Sequence, residues 1–116
     1  MRLFLNSNHR DLLEKIDRLS LRHDPQAIRI RNLTKLLKGK TVLSDVSLDI
    51  PGGKTTVVIG QSGVGKSVLV KHIVGLMKPD YGSVFVGDVE VNSLDDRALN
   101  RLRKKFGMLF QGGALF

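Results

Sequence analysis

The apolar positions of the chain follow two different periods. Across residues 8–22 they recur at helical spacing with charged residues between them, which predicts an amphipathic helix that ends before Asp24-Pro25. Further along, the segment 28–33 alternates apolar and polar residues, and the segment 46–50 does so again. This period of two is typical of half-buried strands, and Gly39-Lys40 between them predicts a turn.

The rest of the chain predicts strands in alternation with helices. Residues 55–59 are β-branched and apolar, as in a parallel strand that is covered on both faces. The segment 66–77 has apolar residues on a helical repeat and stops before a Pro-containing turn. A strand at 84–88 and a short helix at 95–105 follow, and the apolar run Phe106–Phe110 predicts another buried strand. This order of elements indicates an α/β fold.

Composition narrows the class of protein. The chain has 116 residues, 41% of them hydrophobic, which suits one domain with a modest core. It has no Cys, so a disulfide framework, a thiolate zinc site and Cys-based catalysis are excluded. No apolar stretch reaches the roughly 18 residues that a membrane-spanning helix needs. We therefore expect a soluble, cytosolic polypeptide.

The charge is strongly basic but diffuse. Nineteen basic residues stand against 11 acidic ones, a net charge of +8. The densest run, Arg101–Lys105, follows Asp95-Asp96 and fits the basic end of a helix, where cations complement the helix dipole. A membrane-facing or nucleic-acid patch is the alternative interpretation of this run. Five Phe, one Tyr and no Trp are too few for base-stacking platforms, so nucleic-acid binding is not expected.

One motif carries specific chemistry, a G-x-x-x-x-G-K-S sequence between the predicted strand 55–59 and the predicted helix 66–77. Its glycines let the backbone wrap closely around phosphates, and its amides and the following helix N-terminus attract anions. Lys66 can reach the outer phosphates, and the Ser67 hydroxyl can ligate Mg²⁺. The motif predicts a nucleoside triphosphate site, against the alternative of a glycine turn with an incidental Lys-Ser. Its residues are Gly60, Gln61, Ser62, Gly63, Val64, Gly65, Lys66 and Ser67.

One segment before this motif and two segments after it carry a resemblance to a known protein family. The runs 41–53, 76–84 and 106–111 resemble the lead-in, the link and the Q-loop strand of ABC transporter ATPase domains. The stretch 27–116 resembles the N-terminal half of such a domain, and 1–26 is an extension outside it. The resemblance implies an incomplete P-loop NTPase fold of the ABC ATPase type, namely an antiparallel β subdomain plus the start of a RecA-like parallel core.

The resemblance also implies roles for individual residues. Lys66 and Gln111 would be the catalytic residues, and Ser67 and Gln111 would contact the metal, with ATP and Mg²⁺ as cofactors. The partners would be membrane permease subunits and a second copy of the intact ATPase, and no nucleic acid. The protein would lie in the cytoplasm, peripheral on the inner face of the cell membrane.

Within the family, the run 108–116 resembles the lipid-asymmetry and toluene-tolerance ATPases, which implies a lipid or other hydrophobic cargo. Amino-acid and other small-solute importers are close alternatives. The family usually stacks an aromatic residue on adenine, whereas this chain has Leu36, Leu37 and Lys38 there. We therefore expect weak discrimination between adenine and guanine.

Several family motifs do not occur in these 116 residues. There is no Asp-Glu pair after an apolar strand, no Leu-Ser-Gly-Gly-Gln signature and no His after Gln111. His72, on the helix after the loop, is expected to be solvated or packed. We expect no hydrolysis by the 116 residues alone, and two hypotheses compete: an N-terminal fragment of an ABC ATPase, or a short, nucleotide-binding but inert gene product. A DNA-repair type of ABC ATPase is a weaker third.

Overall fold

The computed structural model describes residues 2–19, 26–52 and 63–109. The described elements form one antiparallel sheet and the helices that accompany it. In chain order they are α1 (Arg2–Asp17), β1 (Ile28–Leu37), β2 (Lys40–Ile50), α2 (Gly63–Ile73), β3 (Tyr81–Val86), β4 (Val89–Glu90), a 3₁₀ turn (Val91–Ser93) and α3 (Asp96–Leu109).

The sheet has the strand order β2-β1-β3-β4, with every pairing antiparallel. In β1, Ile28 and Ile30 point to the core, and their partners in β3 are Val86 and Val84. Successive side chains of a strand face opposite sides, so the predicted alternation is the signature of this half-buried sheet. The antiparallel subdomain expected from the sequence is confirmed.

One helix packs directly on the sheet, and two others pack on each other. α2 packs on β2 and β3, and α1 packs on α3. The apolar residues that they bury join those of the sheet in one cluster. Its helical members are Leu13, Ile16, Val68, Leu69, Ile73, Ala98, Leu99, Leu102 and Phe106.

Two predicted helices have different ends in the structure. α1 begins at Arg2 and ends at Asp17, where the amide of Leu19 turns back to the carbonyl of Ile16 in a tight final turn. α2 ends at Ile73 because Gly75, with φ of +79°, reverses the chain into a C-cap. The helix predicted for 66–77 is therefore displaced along the chain, since its start was predicted three residues too late and its end four residues too late.

The strand predicted for Phe106–Phe110 is wrong over residues 106–109, since α3 continues to Leu109. A short apolar run does not by itself distinguish a strand from a buried helical segment. Here Leu99, Leu102 and Phe106 extend one helical repeat into the core. Phe110 and the predicted strand 55–59 lie outside the described residues.

Candidate nucleotide-binding site

The site begins at the N-terminus of α2. The helix starts at Gly63, within the glycine-rich motif, and Lys66 and Ser67 are exposed on its first turns. The first amides of a helix have no partner within the helix and attract anions. The side chains of Lys66, the predicted phosphate contact, and Ser67, the predicted metal ligand, are therefore accessible to a ligand. Gly60, Gln61 and Ser62 lie outside the described residues.

The opposite face of α2 fixes the helix to the core. Val68, Leu69 and Ile73 are buried among the apolar residues of the sheet and α3. Burial of each such side chain stabilises the fold by roughly 1.5–3 kcal/mol. This apolar stripe leaves Lys66 and Ser67 on the accessible side, as their proposed roles require.

His72 is packed in the interior with no exposed surface. Its Nδ1 lies 2.7 Å from the carbonyl oxygen of Val68, and since a carbonyl only accepts, Nδ1 carries the proton. Nε2 has no partner among the described residues. Burial lowers the pKa of His72, because a charged imidazolium would lose its hydration. Of the two expected environments, solvated or packed, the packed one is confirmed.

The C-terminal end of α2 and the link between α2 and β3 are held by long basic side chains from other elements. Arg103 of α3 donates from Nε to the carbonyl of Val74 at 2.9 Å. Lys35 of β1 donates from Nζ to the carbonyl of Lys78 at 2.8 Å. Free carbonyls at a helix end favour such cations. The Arg103 contact fixes the end of α2 remote from Lys66, and the Lys35 contact fixes the link that follows it.

The end of β1 is the segment where the sequence resemblance predicts the contact with adenine. Leu36 is 41% exposed, Leu37 is half-buried, and Lys38 turns the chain with φ of +51°. The amide of Leu36 donates to the carboxylate of Asp80 at 2.8 Å, which ties this end of β1 to the α2–β3 link. The aliphatic character expected from the sequence is present, and weak base discrimination stays a prediction.

Gln111 lies outside the described residues, so its predicted metal contact is not placed. The described side chains contain no group of three or more His, Cys, Asp or Glu that could hold a metal ion. In the described part of the chain, no helix is both long and apolar enough to cross a membrane.

Sequence reasoning missed the anchoring residues Lys35, Asp80 and Arg103. Arg103 belongs to the basic run that the sequence predicts at the end of a helix, whereas α3 continues to Leu109 and Arg103 is half-buried and hydrogen-bonded. Its position in the middle of a run of like charges gave no signal of this contact, because the Val74 carbonyl is 29 residues away in the chain.

Comparison with known proteins places the chain in a family. The family described as ABC transporter matches residues 43–116, which include the glycine-rich motif and α2. The chain belongs to the ABC transporter family. The match also covers most of β2 and all of α3.

Three curated relatives show how broad the family is. A "Probable ribonucleotide transport ATP-binding protein mkl" of Mycobacterium leprae is 41% identical over 90 residues, 78% of this chain and 26% of the relative. A methionine import ATP-binding protein MetN of Rhodopseudomonas palustris is 45% identical over 93 residues, 75% of this chain and 25% of the relative. An intermembrane phospholipid transport system ATP-binding protein MlaF of Haemophilus influenzae is 37% identical over 89 residues, 77% of this chain and 34% of the relative.

The fold agrees with solved structures of ABC transporter cassettes. The dimeric structure of MJ0796, a bacterial ABC transporter cassette, aligns with this chain at a TM-score of 0.58 and 36% sequence identity. The alignment covers 66% of this chain and 35% of the cassette. A post-hydrolysis state of the same cassette, bound to ADP and Pi, gives a TM-score of 0.57 at 33% identity. The ABC ATPase fold is thereby confirmed for the part of the chain that the structure describes. The chain spans between a quarter and about a third of the length of its curated relatives.

Proposed function

We propose that this chain binds Mg·ATP through residues 60–67 and belongs to the ATPase subunit of an ABC transporter. The observation that carries the proposal is the glycine-rich motif at the start of α2, which leaves Lys66 and Ser67 exposed on a helix fixed to the core. Family membership supports it, as does a related cassette bound to ADP and Pi. Gln111, from the family resemblance, would complete the metal site.

The chemistry follows from the residue types. The backbone amides of the loop and the helix N-terminus would surround the phosphates, and Lys66 would neutralise charge on the outer ones. The Ser67 hydroxyl would hold Mg²⁺, whose charge would help to neutralise the triphosphate. We propose that two copies of the intact subunit close on ATP and drive a membrane permease from its cytoplasmic side.

Replacement of Lys66 by Ala tests the binding site. We expect the Kd for Mg·ATP to rise by about ten- to hundredfold, since a charge-assisted hydrogen bond contributes roughly 1.5–3 kcal/mol. Titration with a fluorescent ATP analogue measures this. Lys71→Ala is the matched control, because Lys71 is an exposed lysine on the same helix. Equal Kd values for both variants and the wild type would show that the motif does not bind ATP here.

Two classes of cargo are candidates for the transporter. We propose a lipid or other hydrophobic compound, which the run 108–116 and the phospholipid-transport relative support. The methionine-import relative, at 45% identity, favours an amino acid as the second candidate. ATPase activity of the intact subunit with its permease, measured with added phospholipid or added methionine, separates the two. Stimulation by methionine alone would contradict the lipid proposal.

A further inference from the structure

The N-terminal helix α1 is joined to α3 by an apolar seam. Leu13 and Ile16 are 7% and 0% exposed. They belong to the same buried cluster as Leu102 and Phe106 of α3. The spacing of three or four residues puts each pair on one face of its helix. The extension that lies outside the family resemblance is therefore part of the folded core.

Polar contacts reinforce this seam at the C-terminal end of α1. The carboxylate of Asp17 accepts a hydrogen bond from Nη1 of Arg101 at 2.5 Å. Lys105 donates from Nζ to the carbonyl of Asp17 and, at 3.4 Å, to that of Leu19. The last carbonyls of a helix are unpaired and carry partial negative charge, so the end of α1 is suited to two cations.

α3 needs such a partner because of its own charge. Arg97, Arg101 and Lys105 follow one another at intervals of four residues, and like charges at this spacing destabilise a helix. The Asp17 carboxylate and the turn carbonyls lie against two of these three cations. Docking of α1 therefore offsets part of the repulsion along α3.

On its other side α3 contacts the end of α2. Arg103 donates to the carbonyl of Val74, and Leu99 lies directly over Gly75. α3 thus extends from the C-terminal turn of α1 to the C-terminal turn of α2. Lys66 lies on the first turns of α2, seven residues before Ile73, where the helix ends.

We propose that the C-terminal turn of α1 is an intramolecular clamp on α3, and that the Asp17 carboxylate acts through Arg101 as a positioning residue for the nucleotide site on α2. Loss of the clamp frees α3 to shift, and the anchorage of α2 by Arg103 and Leu99 loosens with it. The effect on nucleotide binding rests on the proposed function, whereas the clamp itself does not.

Hydrogen exchange on the full chain tests the clamp. Asp17→Asn is expected to raise the exchange rates of α3 amides by about threefold, the scale of a partly exposed ion pair. Glu14→Gln is the matched control, since it also removes one negative charge from α1 but Glu14 pairs with Arg18 of the same helix. Equal effects of the two variants, or no change in α3, would overturn the clamp.

A charge swap separates the clamp from a general loss of stability. The double variant Asp17→Arg with Arg101→Asp is expected to return the α3 exchange rates toward those of the wild type, while each single variant raises them. If the change in the free energy of α3 opening in the double variant equals the sum of the changes in the two single variants, the proposed pairing of these residues is wrong.

Nucleotide titration tests the positioning role. At a temperature well below the melting transition, Asp17→Asn is expected to raise the Kd for Mg·ATP two- to threefold, and Glu14→Gln to leave it unchanged. Faster α3 exchange with an unchanged Kd would overturn the positioning role. If the wild type binds no nucleotide, the proposed function and the positioning role both fail, and the exchange data decide the clamp alone.

Discussion

The sheet and the helices of this protein are held by different kinds of contact. In the sheet, backbones meet directly: β1 and β2 bulge together, where Asn32 and Asp45 both have positive φ and a 2.8 Å hydrogen bond joins their side chains. Gly82 of β3 closes against the Asn32 backbone from the other side. Backbone atoms fixed in a hydrogen-bonded ladder cannot move independently.

Around the helices, flexible side chains make the connections. Arg103 reaches the end of α2, Lys105 reaches the end of α1, and Leu99 fills the space over Gly75. A long side chain can turn about 30° away from its preferred rotamer at a cost of about 1 kcal/mol, and a strand backbone has no such freedom. We therefore expect the sheet to tolerate an added methyl group less well than the helical part, because its neighbours there are backbone atoms and not side chains.

The largest effect is expected in the sheet, from Gly82→Ala. A Cβ at this position would lie 2.2 Å from the carbonyl oxygen of Asn32, and φ is +93°. The overlap with fixed backbone and the unfavourable φ together are expected to lower the free energy of unfolding by about 3–4 kcal/mol. Urea denaturation measures the change.

Gly39→Ala is the control for that experiment. Gly39 has φ of +79°, but nothing lies within 4 Å of an added Cβ. This variant is expected to lose only the conformational term, about 1–2 kcal/mol. Equal destabilisation of the two variants would show that the close backbone contact at Gly82 does not contribute to the cost of the added methyl group.

A smaller effect is expected at the helices, from Gly75→Ala. The added Cβ would lie 2.5 Å from Cδ2 of Leu99, the end of a side chain that can rotate, and φ is +79°. We expect a loss of about 2 kcal/mol in the free energy of unfolding. The Leu99→Ala substitution makes room for the added Cβ. Gly75→Ala should therefore lower the free energy of unfolding less in the Leu99→Ala variant than in the wild type. An unchanged cost in both backgrounds would contradict the proposed adjustment.

The smallest effect concerns His72 and pH. Burial holds its pKa below the ordinary value of 6.5, so the unfolded chain binds more protons between the two pKa values. The stabilising contribution is therefore complete above pH 6.5 and decreases as the pH falls toward the folded-state pKa. The slope for one proton is at most about 1.4 kcal/mol per pH unit.

His72→Leu removes this titration, so the difference in unfolding free energy between the wild type and the variant should depend on pH between 7.5 and 5. Denaturant unfolding at a series of pH values measures it. Parallel pH profiles for the two proteins would show that His72 is not kept neutral by the fold.

Local sequence pattern predicted most of the secondary structure for a physical reason. β1 and β2 were readable because half-buried strands alternate, and α2 was readable from its apolar helical repeat, although its start was predicted at residue 66 and lies at Gly63. The run 106–109 was not readable, since an apolar segment fits a strand or a buried helix equally well until its neighbours are known.

The sequence by itself determined the family, the antiparallel subdomain and the candidate residues Lys66 and Ser67, because these depend on local periodicity and on one contiguous motif. Only the tertiary structure decided that α1 docks on α3, that His72 is buried, and that Arg103 anchors α2. Asp17 and Arg101 are 84 residues apart in the chain, and a contact over that distance leaves no periodic pattern in the sequence. Such contacts exist only once the apolar faces of the helices have been brought together.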